Sequence, residues 1–319
     1  MSSTSVSPVV LVTGARGFIG RHLVKHLASK GFRVIGLGHG QWVEQDSRRW
    51  GLTSWLNGEV SSANLDALCM AQGVPELVFH LAGGSAVAPS FAAPLEDFNR
   101  SVVAAMTLAE WLRSRSPSAP LVMASSAAVY GSGHDGQISE LANCRPYSPY
   151  GFHKRMAELA LESFAANFGL NVRVVRFFSV YGTELKKQLL WDTCTKLRTI
   201  GASTLRLGGS GRELRDWLHV DDAVESLTLA GSGNPNGFKI LNGGTGLAVP
   251  VSEVARLILE AWGSQGDIEF SGQSRIGDPP SLVSNASGLA QLGKTTFKPL
   301  KDGIVEYVEW FKQSHDHLI

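Results

Sequence analysis

The sequence predicts an α/β fold that combines a doubly wound parallel sheet with a smaller C-terminal α/β lobe. Short apolar runs rich in β-branched residues, such as 9–12 and 172–178, alternate with amphipathic segments of helical length. Such runs suit strands that are buried on both faces of a parallel sheet. Their alternation with helices indicates βαβ units. Beyond Gly182 the strands become isolated and the loops lengthen, which indicates the second lobe.

The individual elements follow from local signals in the chain. The first strand runs into a glycine-rich turn, and the helix after it ends at the C-cap signal Lys30-Gly31. Further strands of the large sheet are predicted at 32–37, within 38–58, and at 77–81, 121–124 and 172–178, with helices at 63–71 and 96–113. Isolated strands of the second lobe are predicted at 205–207, 239–241 and 268–270.

The bulk composition excludes several classes of protein. With 44% apolar and 18% charged residues among 319, the chain has the composition of a globular protein. Its 29 basic and 28 acidic residues give a net charge of +1, which argues against nucleic-acid binding. The widely spaced Cys69, Cys144 and Cys194 indicate neither a disulfide framework nor a metal site. Because we find no secretion signal and no apolar run of bilayer length, we expect a cytoplasmic protein without a membrane partner.

A glycine loop follows the first strand directly. Its spacing is Gly14-x-x-Gly17-x-x-Gly20, between a buried strand and a helix. At such a turn, glycines let the backbone approach a pyrophosphate, and the N-terminus of the helix supplies unpaired N–H donors. The loop therefore predicts a Rossmann-type dinucleotide site. We assign to it Gly14, Arg16, Gly17, Phe18, Ile19 and Gly20.

The end of the second strand bears on the choice of dinucleotide. An acidic residue there usually binds the adenosine ribose, but the stretch from Leu37 to Gly40 contains no carboxylate. Its absence removes the repulsion of a 2′-phosphate, and Arg16 could form an ion pair with that group. We therefore expect NADP(H) to be favoured and NAD(H) to remain possible. His39 is assigned to the same site.

Tyr150 and Lys154 lie four residues apart on a predicted helix and hence on one face. A phenol with a pKa of about 10 is a weak acid–base catalyst at neutral pH. A neighbouring ammonium favours the phenolate and should lower the pKa of the tyrosine. The pair therefore indicates proton transfer by Tyr150.

With these motifs the chain resembles the extended short-chain dehydrogenase/reductase family, in its nucleotide-sugar branch of epimerases, 4,6-dehydratases and 4-keto reductases. Beyond the glycine loop and the Tyr-x-x-x-Lys pair, the resemblance extends over motifs at 58–60, 80–83, 125–131, 176–182, 211–222, 242–245 and 275–279. It covers nearly the whole length of the chain.

The resemblance implies roles for individual residues. Ser126 would be the catalytic hydroxyl, Tyr150 the acid/base, and Lys154 the group that binds the nicotinamide ribose. The further cofactor contacts that it implies are Glu59, Val60, Leu81, Ala82 and Gly83, and the substrate contacts are Ser85, Ser126, Ser179, Gln188, Leu189, Arg215 and Arg275. Residues 1–180 would form the dinucleotide-binding domain, to which 213–240 returns, and 181–319 would mainly bind the nucleotide sugar.

The resemblance leaves three hypotheses for the function once a dehydratase is disfavoured. The 4,6-dehydratases carry an Asp-Glu pair after the catalytic hydroxyl, where this chain has Ala127 and Ala128. The favoured hypothesis is an NADPH-dependent reductase of a nucleotide-linked 4-keto-6-deoxy-hexose. The alternative is a UDP-hexose 4-epimerase that keeps a bound NAD, and a catalytically inactive dinucleotide-binding regulator is the third. By family analogy we expect a homodimer formed through helices around 102–112 and 159–161.

Overall fold

The computed structural model describes residues 7–200, 204–233, 236–273 and 279–315. The strands are β1 (Val9–Thr13), β2 (Arg33–Gly38), β3 (Leu52–Asn57), β4 (Leu77–His80), β5 (Leu121–Ser126), β6 (Gln137–Ile138), β7 (Val172–Phe177), β8 (Ser179–Tyr181), β9 (Leu205–Leu207), β10 (Leu214–Arg215), β11 (Trp217–His219), β12 (Phe238–Gly243), β13 (Val249–Pro250), β14 (Ile268–Phe270) and β15 (Ser281–Ser284). The helices are α1 (Phe18–Ser29), α2 (Glu44–Arg49), α3 (Ser62–Gln72), α4 (Val87–Ala92), α5 (Pro94–Phe98), α6 (Ala104–Arg115), α7 (Pro149–Phe168), α8 (Gln188–Ile200), α9 (Val220–Gly231), α10 (Val251–Trp262), α11 (Ser287–Gln291) and α12 (Leu300–His315).

The predicted α/β fold is confirmed. Seven strands form a parallel sheet in the order β12-β7-β5-β4-β1-β2-β3. From β1 the chain first adds β2 and β3 on one side, and then crosses to β4 and β5 on the other. This reversal places a topological switch point between β1 and β4, which is where ligands bind in open parallel sheets.

The apolar runs form this sheet because both of their faces are buried. Val10, Leu11 and Val12 of β1 have no solvent-exposed surface. The core around them includes Leu65 of α3 and Leu108 of α6. Burial of such side chains contributes about 1.5–3 kcal/mol each, so the sheet is the rigid support for the loops at its edge.

The predicted helix 96–113 differs from the structure in two respects. The helical segment begins at Pro94, where α5 starts, and it contains a π-helical turn at Asn99–Val103 before α6. Turns of this kind are frequent at functional sites. Here the turn carries Ser101, whose Oγ accepts a hydrogen bond of 3.1 Å from the Gly84 N–H.

The chain divides into two compact units. Unit 1 comprises 1–130, 143–176 and 224–241, and unit 2 comprises 131–142, 177–223 and 242–319. Unit 2 contains a four-stranded sheet in the order β13-β10-β15-β6 and the two-stranded pairs β11-β8 and β14-β9. Its core is formed by helices α8, α10 and α12, which bury Cys194, Ile258 and Phe311. Among the helices in the described ranges, none combines the length and hydropathy needed to cross a membrane.

Candidate active site

Helix α7 positions the predicted catalytic tyrosine in its first turn. The Ser148 side chain caps the helix by accepting a hydrogen bond of 3.2 Å from the Gly151 N–H, and Pro149 occupies the first helical position. The Tyr150 N–H donates to the Ser90 Oγ at 3.0 Å, which fixes the start of the helix in unit 1. Four residues later, the Lys154 Nζ lies 5.9 Å from the centre of the Tyr150 ring.

Lys154 on α7 is a buried cation whose ammonium lies against β5. Its Nζ donates to the Ala124 carbonyl oxygen at 3.1 Å, and the residue is only 6% exposed. Burial lowers the pKa of Lys154 to about 8, against the opposing effect of the Asp97 and Glu158 carboxylates. The ammonium form therefore predominates at neutral pH and is lost as the pH rises above 8.

The pKa of Tyr150 corrects one expectation. Burial raises the pKa of the phenol, the Ser126 hydrogen bond lowers it, and the Asp97 charge raises it. In the protein without ligands the lysine thus does not bring the phenol into the working range. The reason is that loss of hydration opposes the phenolate more than an ammonium several ångströms away favours it.

The structure distinguishes the two serines that end β5. Ser126 is hydrogen-bonded to the Tyr150 phenol, and its Oγ also accepts a bond of 3.2 Å from the Ala128 N–H. The Ser125 Oγ instead donates to the buried Glu158 carboxylate at 2.6 Å. Ser126 is therefore the hydroxyl that can share a reacting oxygen with Tyr150, in agreement with the role that the family resemblance implies.

The glycine loop has the shape that a diphosphate requires. Gly14 has a φ of +71°, and a Cβ there would lie 2.7 Å from the Ala82 nitrogen in the turn after β4. A Cβ on Gly20 would collide with the Gly14 carbonyl oxygen. Gly17 precedes α1 without a side-chain cap, so Phe18 and Ile19 begin the helix with N–H groups of the kind that bind anions. These residues fit a dinucleotide at the switch point of the sheet.

Beside the end of β2 the structure adds Asn57, a residue that the sequence analysis did not single out. Of the predicted residues there, His39 is exposed, and the Arg16 guanidinium lies against Gly40. The Gly40 N–H donates to the Asn57 Oδ1 at 2.9 Å, so the side chain that ends β3 anchors this edge. Asn57 could have been found as the polar residue at the end of the neighbouring strand.

The other predicted cofactor contacts lie at the ends of β3 and β4. Glu59 is exposed, and its carbonyl oxygen accepts a bond of 2.9 Å from the Asn64 side chain. Val60 is half-buried against the core. Leu81, Ala82 and Gly83 follow β4, where the Ala82 N–H donates to the Thr13 Oγ1 at 3.3 Å.

A carboxylate and an imidazole beside the tyrosine were missed by the sequence analysis. The His153 Nδ1 lies 2.6 Å from the Asp97 Oδ2, and both side chains are almost buried. The spacing argument did not single out His153, because it does not share the helix face of Tyr150 and Lys154. Asp97 is 56 residues away along the chain and belongs to no motif, so no sequence signal linked the two.

The predicted substrate contacts fall into different parts of the chain. Ser85 is exposed in unit 1, whereas Ser179 on β8, Gln188 and Leu189 at the start of α8, and Arg215 on β10 belong to unit 2. The Arg215 guanidinium donates to the carbonyl oxygens of Leu214 and Pro279, both at 2.9 Å. Arg275 lies outside the described residues. Of all the site residues predicted from the sequence, the structure brings the catalytic set of Ser126, Tyr150 and Lys154 together.

One group of potential metal ligands occurs among the residues that the structure describes. His219, Asp221 and Glu306 of unit 2 have ligand atoms within 4.8 Å of one another. The Lys298 Nζ already binds the Asp221 and Glu306 carboxylates, at 2.9 and 2.7 Å. The Lys298 ammonium thus compensates part of the charge of these two carboxylates.

Comparison with known proteins assigns the chain to a family. The sequence model of the NAD dependent epimerase/dehydratase family matches residues 10–240, which is more than half of the chain. The chain belongs to this family. Within the epimerase/dehydratase family, the expected place in the extended short-chain dehydrogenase/reductase branch of nucleotide-sugar enzymes is confirmed.

Individual members of the epimerase/dehydratase family are similar over nearly the full length. A UDP-glucose 4-epimerase of Azospirillum brasilense is 30% identical, covering 95% of this chain and 91% of the relative. The structure of MoeE5 with UDP-glucuronic acid and NAD has a TM-score of 0.84 and 34% identity, covering 96% and 99% of the two chains. The UDP-glucose 4-epimerase of Thermotoga maritima with UDP-glucose has a TM-score of 0.87 and 25% identity, covering 97% and 100%.

Proposed function

We propose that the protein is an NAD-dependent 4-epimerase of a UDP-hexose, with UDP-glucose and UDP-glucuronate as the first candidate substrates. The observation that carries the proposal is the hydrogen-bonded pair of Ser126 and Tyr150 beside the buried Lys154 ammonium. The full-length similarity to proteins named as UDP-glucose 4-epimerases supports it.

The side chains can perform the proton chemistry of this reaction. Oxidation of the hydroxyl at C4 of the sugar requires that its proton leave as the C–H bond breaks, and the Tyr150 oxygen accepts it in the fraction of the protein that holds the phenolate, which the Lys154 ammonium favours. Ser126 donates a hydrogen bond to the C4 oxygen of the sugar and holds that oxygen in line with Tyr150. NAD, which the glycine loop would hold, would supply the hydride acceptor and the hydride donor. Because Tyr150 gives the proton back and the hydride would return to C4 on its other face, the reaction has no net redox change.

This proposal replaces our favoured hypothesis of a 4-keto reductase by the alternative. Several of the similar proteins are named as 4-epimerases, and MoeE5 is seen with NAD, so the comparisons support NAD rather than NADP(H). The missing carboxylate at the end of β2 removes a repulsion without creating a phosphate site. Arg16 is exposed, and a single cation in water contributes little binding energy.

Incubation with substrate tests the proposal. Purified protein is given UDP-glucose or UDP-glucuronate without added dinucleotide, and the sugar products are separated by chromatography. We expect the corresponding 4-epimer, together with NAD released from the protein by acid. Consumption of NADPH with a 4-keto sugar, in the absence of epimer formation, would support the reductase instead.

The two serines at the end of β5 give a matched pair of variants. Ser126→Ala should lower kcat by about a hundredfold, because a donor to the reacting oxygen is lost. Ser125→Ala should leave kcat within about threefold and instead lower the free energy of unfolding by about 1–3 kcal/mol, because the Glu158 carboxylate loses a buried donor. Steady-state kinetics and urea denaturation measure the two effects. Equal kcat losses in both variants would contradict the assignment of Ser126.

The lowered pKa of Lys154 predicts a pH dependence of NAD binding. Because the pKa of about 8 lies below the ordinary value of 10.5, the ammonium is present below pH 8 and is lost above it. The Kd of NAD should therefore rise about tenfold between pH 7 and pH 9, as measured by calorimetry on protein stripped of dinucleotide. Lys154→Met should bind NAD more weakly and without this pH dependence. A wild-type Kd that stays constant over the range would contradict the role of the ammonium.

We further propose that unit 1 holds the dinucleotide and that unit 2 supplies the contacts to the nucleotide diphosphate. Arg215 and Arg275 would meet the diphosphate charge, with Ser179, Gln188 and Leu189 near the sugar. A near-neutral protein needs such placed arginines to bind a dianion.

A homodimer through α6 and α7 is proposed on the exposed apolar face of these helices. Of the residues that suggested it, Leu108, Leu112 and Leu161 are buried in the core, whereas Met106 and Leu159 are 46% and 48% exposed. Phe152 and Met156 on α7 extend the exposed set. Apolar groups left in water at this density indicate an interface.

Light scattering tests the dimer. Met106→Asp combined with Leu159→Asp should convert a dimer into a monomer at micromolar concentration, because two carboxylates would be buried in each half of the interface. Met70→Asp on α3, where the residue is 88% exposed, is the control and should leave the mass unchanged. A wild-type monomer would contradict the proposal.

A further inference from the structure

Asp97 and His153 form a nearly buried pair beside the catalytic tyrosine. Asp97 is the next-to-last residue of α5, and His153 lies in α7, directly before Lys154. Their side chains are 8% and 12% exposed, and the Asp97 Oδ2 lies 2.6 Å from the His153 Nδ1. Phe98 packs edge-on against the imidazole at 5.5 Å and closes the pair from that side.

The second carboxylate oxygen points toward the catalytic groups. The Asp97 Oδ1 occupies the space that a Cβ on Gly84 would need, and that same position is 3.3 Å from the Tyr150 Cδ2. A Cβ on the preceding residue, Gly83, would lie 3.4 Å from the Lys154 Nζ. Of two adjacent glycines after β4, Gly84 therefore lies against both the carboxylate and the phenol ring, and Gly83 lies against the ammonium.

The carboxylate acts on both catalytic groups with a definite sign. A negative charge disfavours the phenolate and favours the ammonium, so Asp97 raises the pKa of Tyr150 and also raises the pKa of Lys154. These two pKa changes have opposite consequences for catalysis. The raised pKa of Tyr150 makes the phenolate harder to form, whereas the raised pKa of Lys154 retains the cation that stabilises the phenolate.

The neighbouring charges are compensated by other partners. Glu158, one turn after Lys154 on α7, is bound by Arg176 and Arg155. Glu96, beside Asp97, forms an exposed ion pair with Arg100. His80 on β4 is buried and bonded to Thr13, and burial followed by the Lys154 charge lowers its pKa to about 3, so it is neutral.

We infer that Asp97 and His153 are a positioning pair that controls the charge felt by the Tyr150 phenol. The imidazole holds one carboxylate oxygen and so keeps the carboxylate from turning onto the Lys154 ammonium. If it did turn, the ammonium would be neutralised by a direct ion pair and would no longer favour the phenolate. The pair thus keeps the lysine available to the tyrosine. The inference deepens the proposed function, since it rests on Tyr150 as the acid/base.

Ultraviolet titration of Tyr150 in the holoprotein tests the carboxylate. The phenolate absorbance of each variant is corrected for the other four tyrosines by subtracting the same variant with Tyr150→Phe. In Asp97→Asn, which keeps the size and the contact with His153, the anion is gone. We expect the phenolate fraction one pH unit below the wild-type midpoint to rise about three- to fivefold.

Variants of the imidazole should act on the lysine. In His153→Ala the carboxylate is released toward Lys154, the direct ion pair keeps the ammonium charged to higher pH, and the pH at which the Kd of NAD rises should increase by about half a unit to one unit. His153→Asn places an amide donor near the position of the Nδ1, and it should restore the wild-type pH dependence of the Kd. This rescue distinguishes positioning of the carboxylate from simple loss of packing.

Glu96→Gln is the matched control, because it removes an exposed carboxylate one residue away from Asp97. We expect its Tyr150 midpoint to equal that of the wild type. An unchanged Tyr150 midpoint in Asp97→Asn, together with an unchanged pH dependence of the Kd of NAD in His153→Ala, would overturn the inference and leave the pair as a support of the fold. The titration needs no turnover, so a protein that shows these shifts but no epimerase activity would refute the proposed function alone.

Discussion

Replacing Tyr150 by phenylalanine should lower kcat for the UDP-hexose by about a hundredfold to ten-thousandfold. The variant removes the only atom by which the tyrosine exchanges a proton with the sugar hydroxyl, while the ring and its packing remain. The Lys154 Nζ bond to the Ala124 carbonyl and the glycine loop are untouched, so NAD should still bind. Steady-state kinetics and the dinucleotide content of the purified variant measure the two parts of this expectation.

Tyr147→Phe is the matched control, since it removes a phenolic oxygen three residues earlier on the same segment. We expect its kcat to stay within about threefold of the wild type. A Tyr150→Phe enzyme that keeps more than a tenth of the activity would rule out the phenol as the acid/base. A variant that loses its NAD would leave the proton-transfer role to be tested with dinucleotide added in excess.

Breaking the buried ion pair of Glu158 and Arg176 should destabilise the protein by about 3–5 kcal/mol. The two side chains are 0% and 1% exposed, and the Arg176 Nε and Nη2 bind the carboxylate at 3.0 and 2.6 Å. The guanidinium also lies 4.8 Å from the centre of the Tyr130 ring. Arg176→Met leaves a buried carboxylate without its main partner, and that uncompensated charge is the source of the loss.

Urea denaturation of the single and double variants measures this loss. Glu158→Leu combined with Arg176→Met removes both charges and should recover most of the stability, because desolvation of the pair costs nearly as much as its attraction returns. Single variants within 1 kcal/mol of the wild type would contradict the account. So would a double variant that is no more stable than the worse single one.

The parts of the fold and site that the sequence predicts are those governed by local patterns. The apolar runs of β1 and β7 specify strands buried on both faces, and the spacing of Gly14, Gly17 and Gly20 specifies a turn against a neighbouring backbone. The interval of four residues places Tyr150 and Lys154 on one helix face by geometry alone. These inferences need only the chain itself.

The parts that the sequence does not predict depend on contacts between distant segments. Asp97 meets His153 across 56 residues, and Glu158 meets Arg176 across 18 residues and a change of element. The pKa of Tyr150 depends on how far its ring is removed from water, which the spacing of Tyr150 and Lys154 does not reveal. The proposed use of NAD likewise could not be predicted from a missing carboxylate, because an absent repulsion is not an attraction.

The path of the hydrogen at C4 tests the central claim most directly. UDP-glucose that carries deuterium at C4 is converted by the protein without added dinucleotide, and the UDP-galactose formed is analysed by mass spectrometry and proton NMR. We predict that the deuterium remains at C4, because the hydride returns to the carbon that it left while Tyr150 carries the exchangeable proton. Loss of the label to solvent or to free dinucleotide, or its appearance at another carbon, would contradict the account.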